Sequence, residues 1–332
     1  MSGVGLHSGR AMGMEIAPAA ADAGLFFIAS KAAGGGVIPA TIAAVAAQGA
    51  ASGLCTELRG RDEEQHTPPP VVKTVEHVLA ALSGCGVDNA AIRLIDEDGG
   101  DGLASEVPIM DGSALPFVEL IEKAGLVDAL GGGGGGTRPR RLMVVKRPIE
   151  VAGSDGARAL LRPLESRGDV GQPKLVMDVE IDFGAVSRAV GRQVRRFVLR
   201  HGGDQRRAAD GFEFATAIAP ARTFTFEDWI PAARAAGLIA GGSLDNAVVF
   251  ASEAGGSSSS GRGVLNPGGT RFDDEPVRHK ILDCVGDLAL AGAPVVGRLH
   301  ATRPGHALTC DLVRALLASP DNYDLVNLND FR

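Results

Sequence analysis

The sequence predicts an α+β protein made of two similar domains, and three observations lead to this prediction. The chain has 332 residues, which is enough to bury two hydrophobic cores. Six consecutive glycines at 131–136 interrupt it near the middle. The two halves also echo each other, because Val75-Glu-His77 and Val277-Arg-His279 each open a predicted helix that a Gly-containing turn joins to a strand. This echo predicts that two helix N-termini face one cleft.

The glycine run marks the predicted domain boundary. Six glycines in a row are expected to hold no regular structure and are typical of a flexible linker. We therefore predict a first domain over 1–130, a linker over 131–139 and a second domain over 140–332. Five other polar tracts are rich in Gly, Ser or Pro and lack periodicity, which is typical of surface insertions. They are 60–70, 96–105, 165–173, 201–211 and 252–263.

The regular elements follow from apolar spacing and from capping residues. A short helix is predicted over 74–84, with Thr74 as its N-cap and Gly84 as its C-cap. A longer helix over 276–291 starts with a proline and is followed by a glycine. Strands are predicted at 90–95, 141–151, 174–183 and 295–301, and a final helix at 309–318.

Composition excludes several classes of protein. There are 46 glycines without a Gly-X-Y period, which excludes collagen, and 45% hydrophobic residues with a net charge of -7 exclude a disordered chain. No apolar stretch is long enough to span a membrane, and the acidic balance leaves no basic stripe for nucleic acid. The four cysteines form no C-x-x-C pair, which argues against a disulfide scaffold. With no targeting segment visible, we predict a soluble intracellular protein.

Three residues of one predicted helix give the first chemical signal. His279, Asp283 and Asp287 are spaced by four, which places them on one helix face because each step advances the direction by about 40°. The His-x-x-x-Asp pair can chelate one zinc ion through an imidazole nitrogen and a carboxylate oxygen. The alternative is a solvated helix face that carries an i, i+4 ion pair.

The dipeptide Glu76-His77 adds a second histidine and another carboxylate. A carboxylate beside a metal ligand is the arrangement in which a general base meets a metal-activated water, although the order of the H-E-x-x-H motif is reversed here. Together with His279 and Asp283, the set becomes two histidines and one aspartate with a position left open for water, as in catalytic zinc sites. The alternative is a glutamate that favours the helix dipole beside a half-buried histidine.

Two further residues are candidates for the reaction itself. His306 is predicted to lie in a turn after a strand. With a carboxylate such as Asp287 as its partner, it would stay protonated near neutral pH and could act as an acid. The hydroxyl of Thr223 could donate to an oxyanion. The alternatives are an exposed turn histidine and an ordinary strand threonine.

Motifs spread along the chain resemble those of one enzyme family. They are GVGLHSG (3–9), TVEHVLAALSGCGVDNAAI (74–92), PIMDGSALPFV (108–118), ARTF (221–224), GGSLDNAVV (241–249), VRHKILDCVGDLAL (277–290) and GHAL (305–308). In this order they resemble the zinc-dependent UDP-3-O-acyl-N-acetylglucosamine deacetylases of lipid A biosynthesis. TVEH and VRHKILD are the most specific of these segments.

The resemblance implies a fold and a metal centre. The family has two α+β domains of similar topology, each a two-layer sandwich of a small sheet on helices, with the active site in the cleft between them. By motif match, His77, His279 and Asp283 would be the ligands of one Zn²⁺ per chain. Fe²⁺ is the alternative metal in the cell.

The resemblance also implies the reaction and the residues that perform it. Water would remove the N-acetyl group as acetate and leave UDP-3-O-acyl-glucosamine, which is the committed step of lipid A biosynthesis. Glu76 would be the general base and His306 the general acid, oriented and kept charged by Asp287. Thr223 would share the oxyanion with the zinc, and Lys280 would reach the substrate at its diphosphate.

Further substrate contacts are implied by the same resemblance. Asp182 and Phe183 match a position that packs against the uridine, and Phe224 and Leu238 are counted among the substrate-binding residues. A β-α-β insertion within 183–222 would form the passage for the acyl chain.

Two alternatives stay open at the level of sequence. One is a zinc amidohydrolase that acts on another N-acetylated sugar nucleotide, and the other is a non-catalytic homologue that binds a sugar nucleotide or lipid. We expect a monomer whose partner is the small-molecule substrate, without nucleic acid and without a transmembrane segment. The expected compartment is the cytoplasm for a bacterial protein and the mitochondrion for one from a plant or alga.

Overall fold

A computed structural model describes residues 1–29, 36–46, 53–60, 69–97, 105–131, 135–164, 172–202, 209–251 and 263–331. Within these ranges the strands are β1 (Ser2–Val4), β2 (Ala11–Pro18), β3 (Leu25–Ile28), β4 (Val37–Pro39), β5 (Glu57–Arg59), β6 (Val71–Lys73), β7 (Ala90–Asp96), β8 (Ser105–Glu106), β9 (Leu130–Gly131), β10 (Gly135–Thr137), β11 (Arg141–Val145), β12 (Ile149–Ala152), β13 (Arg158–Arg162), β14 (Lys174–Asp182), β15 (Arg192–Arg200), β16 (Phe224–Phe226), β17 (Val248–Phe250), β18 (Val295–Thr302) and β19 (Tyr323–Asn327). The helices are α1 (Glu76–Gly84), α2 (Leu115–Ala124), α3 (Ala209–Ala217), α4 (Ile230–Ala235), α5 (Glu275–Ala289) and α6 (His306–Leu317). Several small sheets with few helices confirm the predicted α+β class.

The first half of the chain forms two sheets. The larger has five strands in the order β1-β2-β7-β3-β4, and the smaller has the order β5-β6-β8. β7 is central in the larger sheet because it pairs antiparallel with β2 and parallel with β3. Met14 of β2 lies opposite Leu94 of β7, and both are buried. Such pairs form the apolar face by which a sheet contributes to the core.

The second half of the chain is organised around β18. This strand pairs parallel with β14 and antiparallel with β13, and its first residues pair parallel with β11. The seven-stranded sheet is completed by β12, β15 and β19. Helix α5 packs on β14 and β15, and α6 packs on β12 and β13, so both helices cover this sheet.

Helices α1 and α5 bring the two halves of the chain into contact. Every residue of α1 except Ser83 is buried, because this helix packs against α2 and α5. A Cβ atom added at Gly286 of α5 would overlap the backbone carbonyl of Glu76. Glycine therefore allows the first turn of α1 to lie directly on α5, and this close approach sets how near the side chains of the two helices come.

The caps of α1 differ from the predicted ones. Thr74 has a φ of 58°, which is a left-handed conformation, and it is not the N-cap. Val75 occupies that position without a side-chain hydrogen bond. At the other end, Gly84 is the last helical residue and Cys85 is the C-cap. The start of α1 is held by tertiary packing rather than by a capping side chain.

Other elements also differ from the prediction. The segment 141–151 forms two strands, β11 and β12, rather than one. Helix α6 begins at His306 and not at 309, so this histidine lies in the first turn of a helix. A strand, β19, follows α6 and was not predicted.

None of the helices in the described ranges combines the length and apolar character needed to cross a membrane.

The ends of the glycine run are paired. Gly131 of β9 lies opposite Gly135 of β10, and Leu130 lies opposite Thr137. The prediction that this run holds no regular structure was therefore wrong at its ends, because glycine still carries the backbone donor and acceptor that a ladder needs. Residues 132–134 lie outside the described residues. Most of the five predicted insertion tracts lie outside them as well: 61–68, 98–104, 165–171, 203–208 and 252–262.

A β-α-β unit occurs later in the chain than its predicted range. Residues 183–222 contain β15 and α3 in the part that the structure describes. Strands β16 and β17 pair in parallel, and a 3₁₀ turn and α4 connect them. The strand–helix–strand unit therefore spans 224–250. The division into domains at 131–139 stays a prediction.

Candidate metal centre and active site

Two helices direct three buried side chains towards one point. His77 lies in the first turn of α1, and His279 and Asp283 lie one turn apart on α5. Their ligand atoms are all within 4.8 Å of one another. The Oδ1 atom of Asp283 is 3.4 Å from Nε2 of His279 and 3.9 Å from Nε2 of His77. The structure thus brings together the three residues for which metal binding is predicted.

Neighbouring groups orient these side chains. His279 donates from Nδ1 to the carbonyl oxygen of Ala221 at 3.0 Å, which leaves the lone pair of Nε2 directed at the centre. Lys280 donates from Nζ to Oδ2 of Asp283 at 2.9 Å. The other carboxylate oxygen, Oδ1, is buried and has no hydrogen-bond partner among the described residues. A buried, unpaired carboxylate oxygen facing two imidazole nitrogens fits a cation, because leaving such an oxygen unpaired is costly.

The protonation states of the three residues also fit a divalent metal. Burial, together with the neighbouring His279, lowers the pKa of His77 to about 3, and burial also lowers the pKa of His279. Burial alone would raise the pKa of Asp283, but His279 and Lys280 hold it well below its usual range. At neutral pH the site therefore presents two neutral imidazoles and one carboxylate. These are donors that zinc and iron(II) accept.

Glu76 lies next to His77 and is buried as well. Its Oε2 accepts a hydrogen bond from the backbone N–H of Thr56 at 3.0 Å, and its Oε1 is 3.8 Å from Nε2 of His306. Burial raises the pKa of Glu76 to about 7, against the opposing effect of His306. A carboxyl group with a pKa near neutral pH is suited to be a general base.

His306 is the first residue of α6 and is held by Asp287. Nδ1 of the imidazole is 2.9 Å from Oδ2 of Asp287, and Oδ1 of the same carboxylate accepts from the hydroxyl of Thr56 at 2.7 Å. Burial alone would lower the pKa of His306, but Asp287 and Glu76 raise it to about 10. The imidazole is therefore protonated at neutral pH, with Nδ1–H on Asp287 and Nε2–H available for donation.

Glu76, His306 and the three predicted metal ligands line one cavity of about 540 Å³. Thr223 lines it too, and its backbone N–H donates to the carbonyl of Gly112 at 2.7 Å. Lys280 also lines the cavity, next to the metal ligands. The β-α-β unit supplies much of the apolar lining: Phe224, Ile230, Ile239, Leu244 and Val249. The cavity therefore joins the polar centre to an apolar space.

Three of the predicted substrate residues, Asp182, Phe183 and Leu238, are not part of this lining. Asp182 forms an ion pair with a half-exposed arginine at 3.3 Å. The ring of Phe183 packs edge-on against that of Phe224, with 5.6 Å between their centres, so it supports a lining residue from behind. The neighbour of Leu238, Ile239, has a left-handed φ of 52° and faces the cavity instead.

Two residues of the site are absent from the sequence predictions. Thr56 is 20 residues from Glu76 and 231 from Asp287 in sequence, so no local pattern could reveal that it contacts both. His7 lines the cavity, and its buried Nε2 has no hydrogen-bond partner within the described ranges. The segment GVGLHSG was a family signal, but it did not indicate where this histidine lies.

The fold and the site together define a class of protein. Two imidazoles and a carboxylate meet between two packed helices, with a second carboxylate and a protonated histidine beside them, which is the arrangement of a metal-dependent hydrolase. The model of the UDP-3-O-acyl N-acetylglycosamine deacetylase family matches residues 1–318. The chain belongs to this family of metalloenzymes.

Relatives of the chain are similar to it over nearly its whole length. The UDP-3-O-acyl-N-acetylglucosamine deacetylase of Anaeromyxobacter sp. (strain Fw109-5) is 38% identical over 98% of this chain and 88% of the relative. The protein of the same name from Phenylobacterium zucineum (strain HLK1) is 37% identical over 96% of this chain and 91% of the relative. That of Thermosynechococcus vestitus (strain NIES-2133 / IAM M-273 / BP-1) is 37% identical over 95% and 90%, respectively.

Proposed function

We propose that this chain is a zinc-dependent deacetylase of lipid A biosynthesis. It hydrolyses UDP-3-O-acyl-N-acetylglucosamine to UDP-3-O-acyl-glucosamine and acetate. Membership of the family and the names of the relatives support this substrate and reaction. The observation that carries the proposal is the pair of Glu76 and His306 beside the His-His-Asp set, with 3.8 Å between Oε1 and Nε2. One carboxyl group and one cationic imidazole are the two proton carriers that amide hydrolysis needs.

His77, His279 and Asp283 are the ligands in this proposal. When bound, a zinc ion supplies Lewis acidity for the acetamide carbonyl and lowers the pKa of the attacking water towards ~7. Lys280 occupies Oδ2 of Asp283 and so leaves Oδ1 for the ion. The same donor set also suits Fe²⁺, which is the alternative metal.

Glu76 and His306 move the protons. Glu76 accepts a proton at Oε1 while the water oxygen forms a bond with the acetamide carbon. His306 then donates its Nε2 proton to the sugar nitrogen while the C–N bond breaks, because an amine is a poor leaving group unless it is protonated. Asp287 keeps the ring of His306 oriented and charged through Nδ1.

In the proposed reaction, other lining residues bind the substrate. The hydroxyl of Thr223 stabilises the negative oxygen of the tetrahedral intermediate, and Lys280 attracts the nucleotide diphosphate. Phe224 and the other apolar residues of the β-α-β unit contact the acyl chain. The cavity lining does not include Asp182, Phe183 or Leu238. Any effect of these residues on substrate binding is therefore indirect, through the residues that do line the cavity. A monomeric state and the cellular compartment stay predictions.

The test measures release of acetate from UDP-3-O-acyl-N-acetylglucosamine and from the same sugar nucleotide without the acyl chain. We expect strong preference for the acylated substrate, because the apolar part of the cavity is otherwise unfilled. Glu76→Gln is the matched control, since it keeps the shape of the side chain and removes the base. Equal rates on both substrates would favour an amidohydrolase for another sugar nucleotide. No turnover of either substrate by the wild-type protein would favour a non-catalytic homologue.

A further inference from the structure

Thr56 contacts both carboxylates that surround His306. It lies immediately before β5, and its side chain is completely buried (0% exposed). Its backbone N–H donates to Oε2 of Glu76 at 3.0 Å, and its hydroxyl donates to Oδ1 of Asp287 at 2.7 Å. One residue thus touches the general base and the group that orients the general acid.

The two bonds divide the four carboxylate oxygens in a regular way. Thr56 occupies Oε2 of Glu76 and Oδ1 of Asp287, and the remaining oxygens face the two nitrogens of His306. Oε1 of Glu76 is 3.8 Å from Nε2, and Oδ2 of Asp287 is 2.9 Å from Nδ1. Terminal carboxylate torsions are broad and easily rotated. A donor fixed on one oxygen therefore determines where the other oxygen points.

Chain connectivity makes this contact a link between the two halves of the molecule. Glu76 belongs to α1 in the first half, whereas Asp287 and His306 belong to α5 and α6 in the second. Thr56 is tied to the start of α1, because its carbonyl accepts a hydrogen bond from the N–H of Val75 at 3.5 Å. Its hydroxyl then reaches across to α5. The base and the acid come from separate parts of the chain, and Thr56 connects them.

We propose that Thr56 is a positioning residue that holds the general base and the general acid in fixed relation for successive proton transfers. This inference rests on the proposed function. Thr56 does not line the cavity and acts through Glu76 and Asp287. Loss of its hydroxyl leaves Oδ1 of Asp287 buried without that donor and frees the carboxylate to turn away from Nδ1 of His306.

The test compares three variants of the full-length protein. Thr56→Val removes the hydroxyl at nearly constant volume, and Thr56→Ser keeps it. Thr309→Val is the matched control, because this buried threonine of α6 donates to the carbonyl of Gly305, the residue just before the helix. The measurements are kcat, KM, bound metal and the pKa of the His306 imidazole. That pKa is followed by NMR of labelled histidine, with the signal assigned from its loss in His306→Gln.

We expect Thr56→Val to lower kcat about 10- to 100-fold, with KM and bound metal little changed. The pKa of His306 falls by about one unit or more, because its ion pair with Asp287 loosens. Thr56→Ser and Thr309→Val stay close to the wild type in kcat and in the pKa of His306. If Thr56→Val does not fold, Thr56→Ala provides a second variant without the hydroxyl.

The outcomes separate this inference from the proposed function. An unchanged kcat and an unchanged His306 pKa in Thr56→Val would overturn it. A loss confined to KM or to bound metal would overturn it too, since that is the result of a merely structural residue. If the wild-type protein has no deacetylase activity, the proposed function fails. A hydroxyl-dependent pKa of His306 would still support the link made by Thr56.

Discussion

Nε2 of His279 lies 3.4 Å from Oδ1 of Asp283, one turn further along the same helix. This oxygen is buried, so water does not solvate it. It also accepts no hydrogen bond from the part of the chain that the structure describes. His279 turns its other nitrogen, Nδ1, to a backbone carbonyl. The two atoms that face each other are therefore the ones suited to share a cation with Nε2 of His77.

Asp283→Asn should abolish tight metal binding. The amide keeps the shape of the side chain, but it replaces one carboxylate oxygen with an NH2 group and removes the negative charge that compensates the ion. We expect zinc affinity to fall at least about 100-fold, measured by competition with a chromophoric chelator. Asp311→Asn on the exposed face of α6 is the control and should bind zinc normally. Equal affinities in the two variants would contradict the assignment of Asp283 as a ligand.

His306→Ala should separate catalysis from metal binding. The residue lies beside the metal ligands but belongs to α6 and pairs with Asp287, so its removal leaves the His-His-Asp set intact. We expect kcat to fall roughly 10²- to 10⁴-fold, the usual size of an acid-base contribution, while bound zinc is unchanged. A zinc-replete His306→Ala protein with full turnover would remove His306 from the mechanism.

Gly286→Ala should weaken both the fold and the metal centre. A Cβ at this position would overlap the backbone carbonyl of Glu76, and moving α1 away also moves His77. Alanine in a helix is otherwise favoured over glycine by about 1 kcal/mol, so any loss of stability must come from this overlap. We expect a net loss of about 1–3 kcal/mol by chemical denaturation, together with weaker zinc binding.

Gly268→Ala is the control for this substitution, because no atom lies within 4 Å of a Cβ built there. It should leave stability and zinc affinity close to the wild-type values. If Gly286→Ala behaves in the same way as Gly268→Ala, the two helices have more room at their crossing than the structure indicates.

His201 should make the protein less stable as the pH falls below 6.5. Burial, reinforced by Arg140, lowers the pKa of this histidine to about 3 in the folded state, while the unfolded chain has an ordinary value near 6.5. Above pH 6.5 both states are neutral at this position and it has no effect on stability. Below that pH His201 binds a proton in the unfolded chain but not in the folded protein. The free energy of unfolding therefore decreases as the pH falls, until about pH 3.

His201→Gln removes this titration. Comparing urea denaturation of the two proteins between pH 7 and pH 5 isolates the contribution of His201, since the other titrating groups are shared. The wild type should lose about 2 kcal/mol more than the variant over this interval. The same loss in both proteins would show that His201 is protonated in the folded state or is not buried.

The sequence predicts the chemistry of the site better than its exact setting. The i, i+4 spacing of His279 and Asp283 is a local property of a helix, and the structure does place both beside His77. The conformation of Thr74 could not be predicted, because its left-handed φ of 58° depends on packing around the start of α1. For the same reason, His306 was predicted in a turn although it opens α6.

Contacts between distant parts of the chain are what the sequence could not predict. Thr56 has no motif, and it meets Asp287 only because α1 and α5 pack together. The β-α-β unit over 224–250 is not among the elements predicted from the sequence, because its strands are only three residues long and give little periodic signal. The paired ends of the glycine run depend on backbone hydrogen bonds, which side-chain patterns do not report.

We propose that deacetylation requires metal held by His77, His279 and Asp283. The most direct measurement combines metal analysis of the purified full-length chain with release of acetate from UDP-3-O-acyl-N-acetylglucosamine, before and after treatment with a chelator. We expect one equivalent of metal per chain, loss of activity when it is removed and recovery when zinc is added back. Full turnover by protein shown to be free of metal would contradict it.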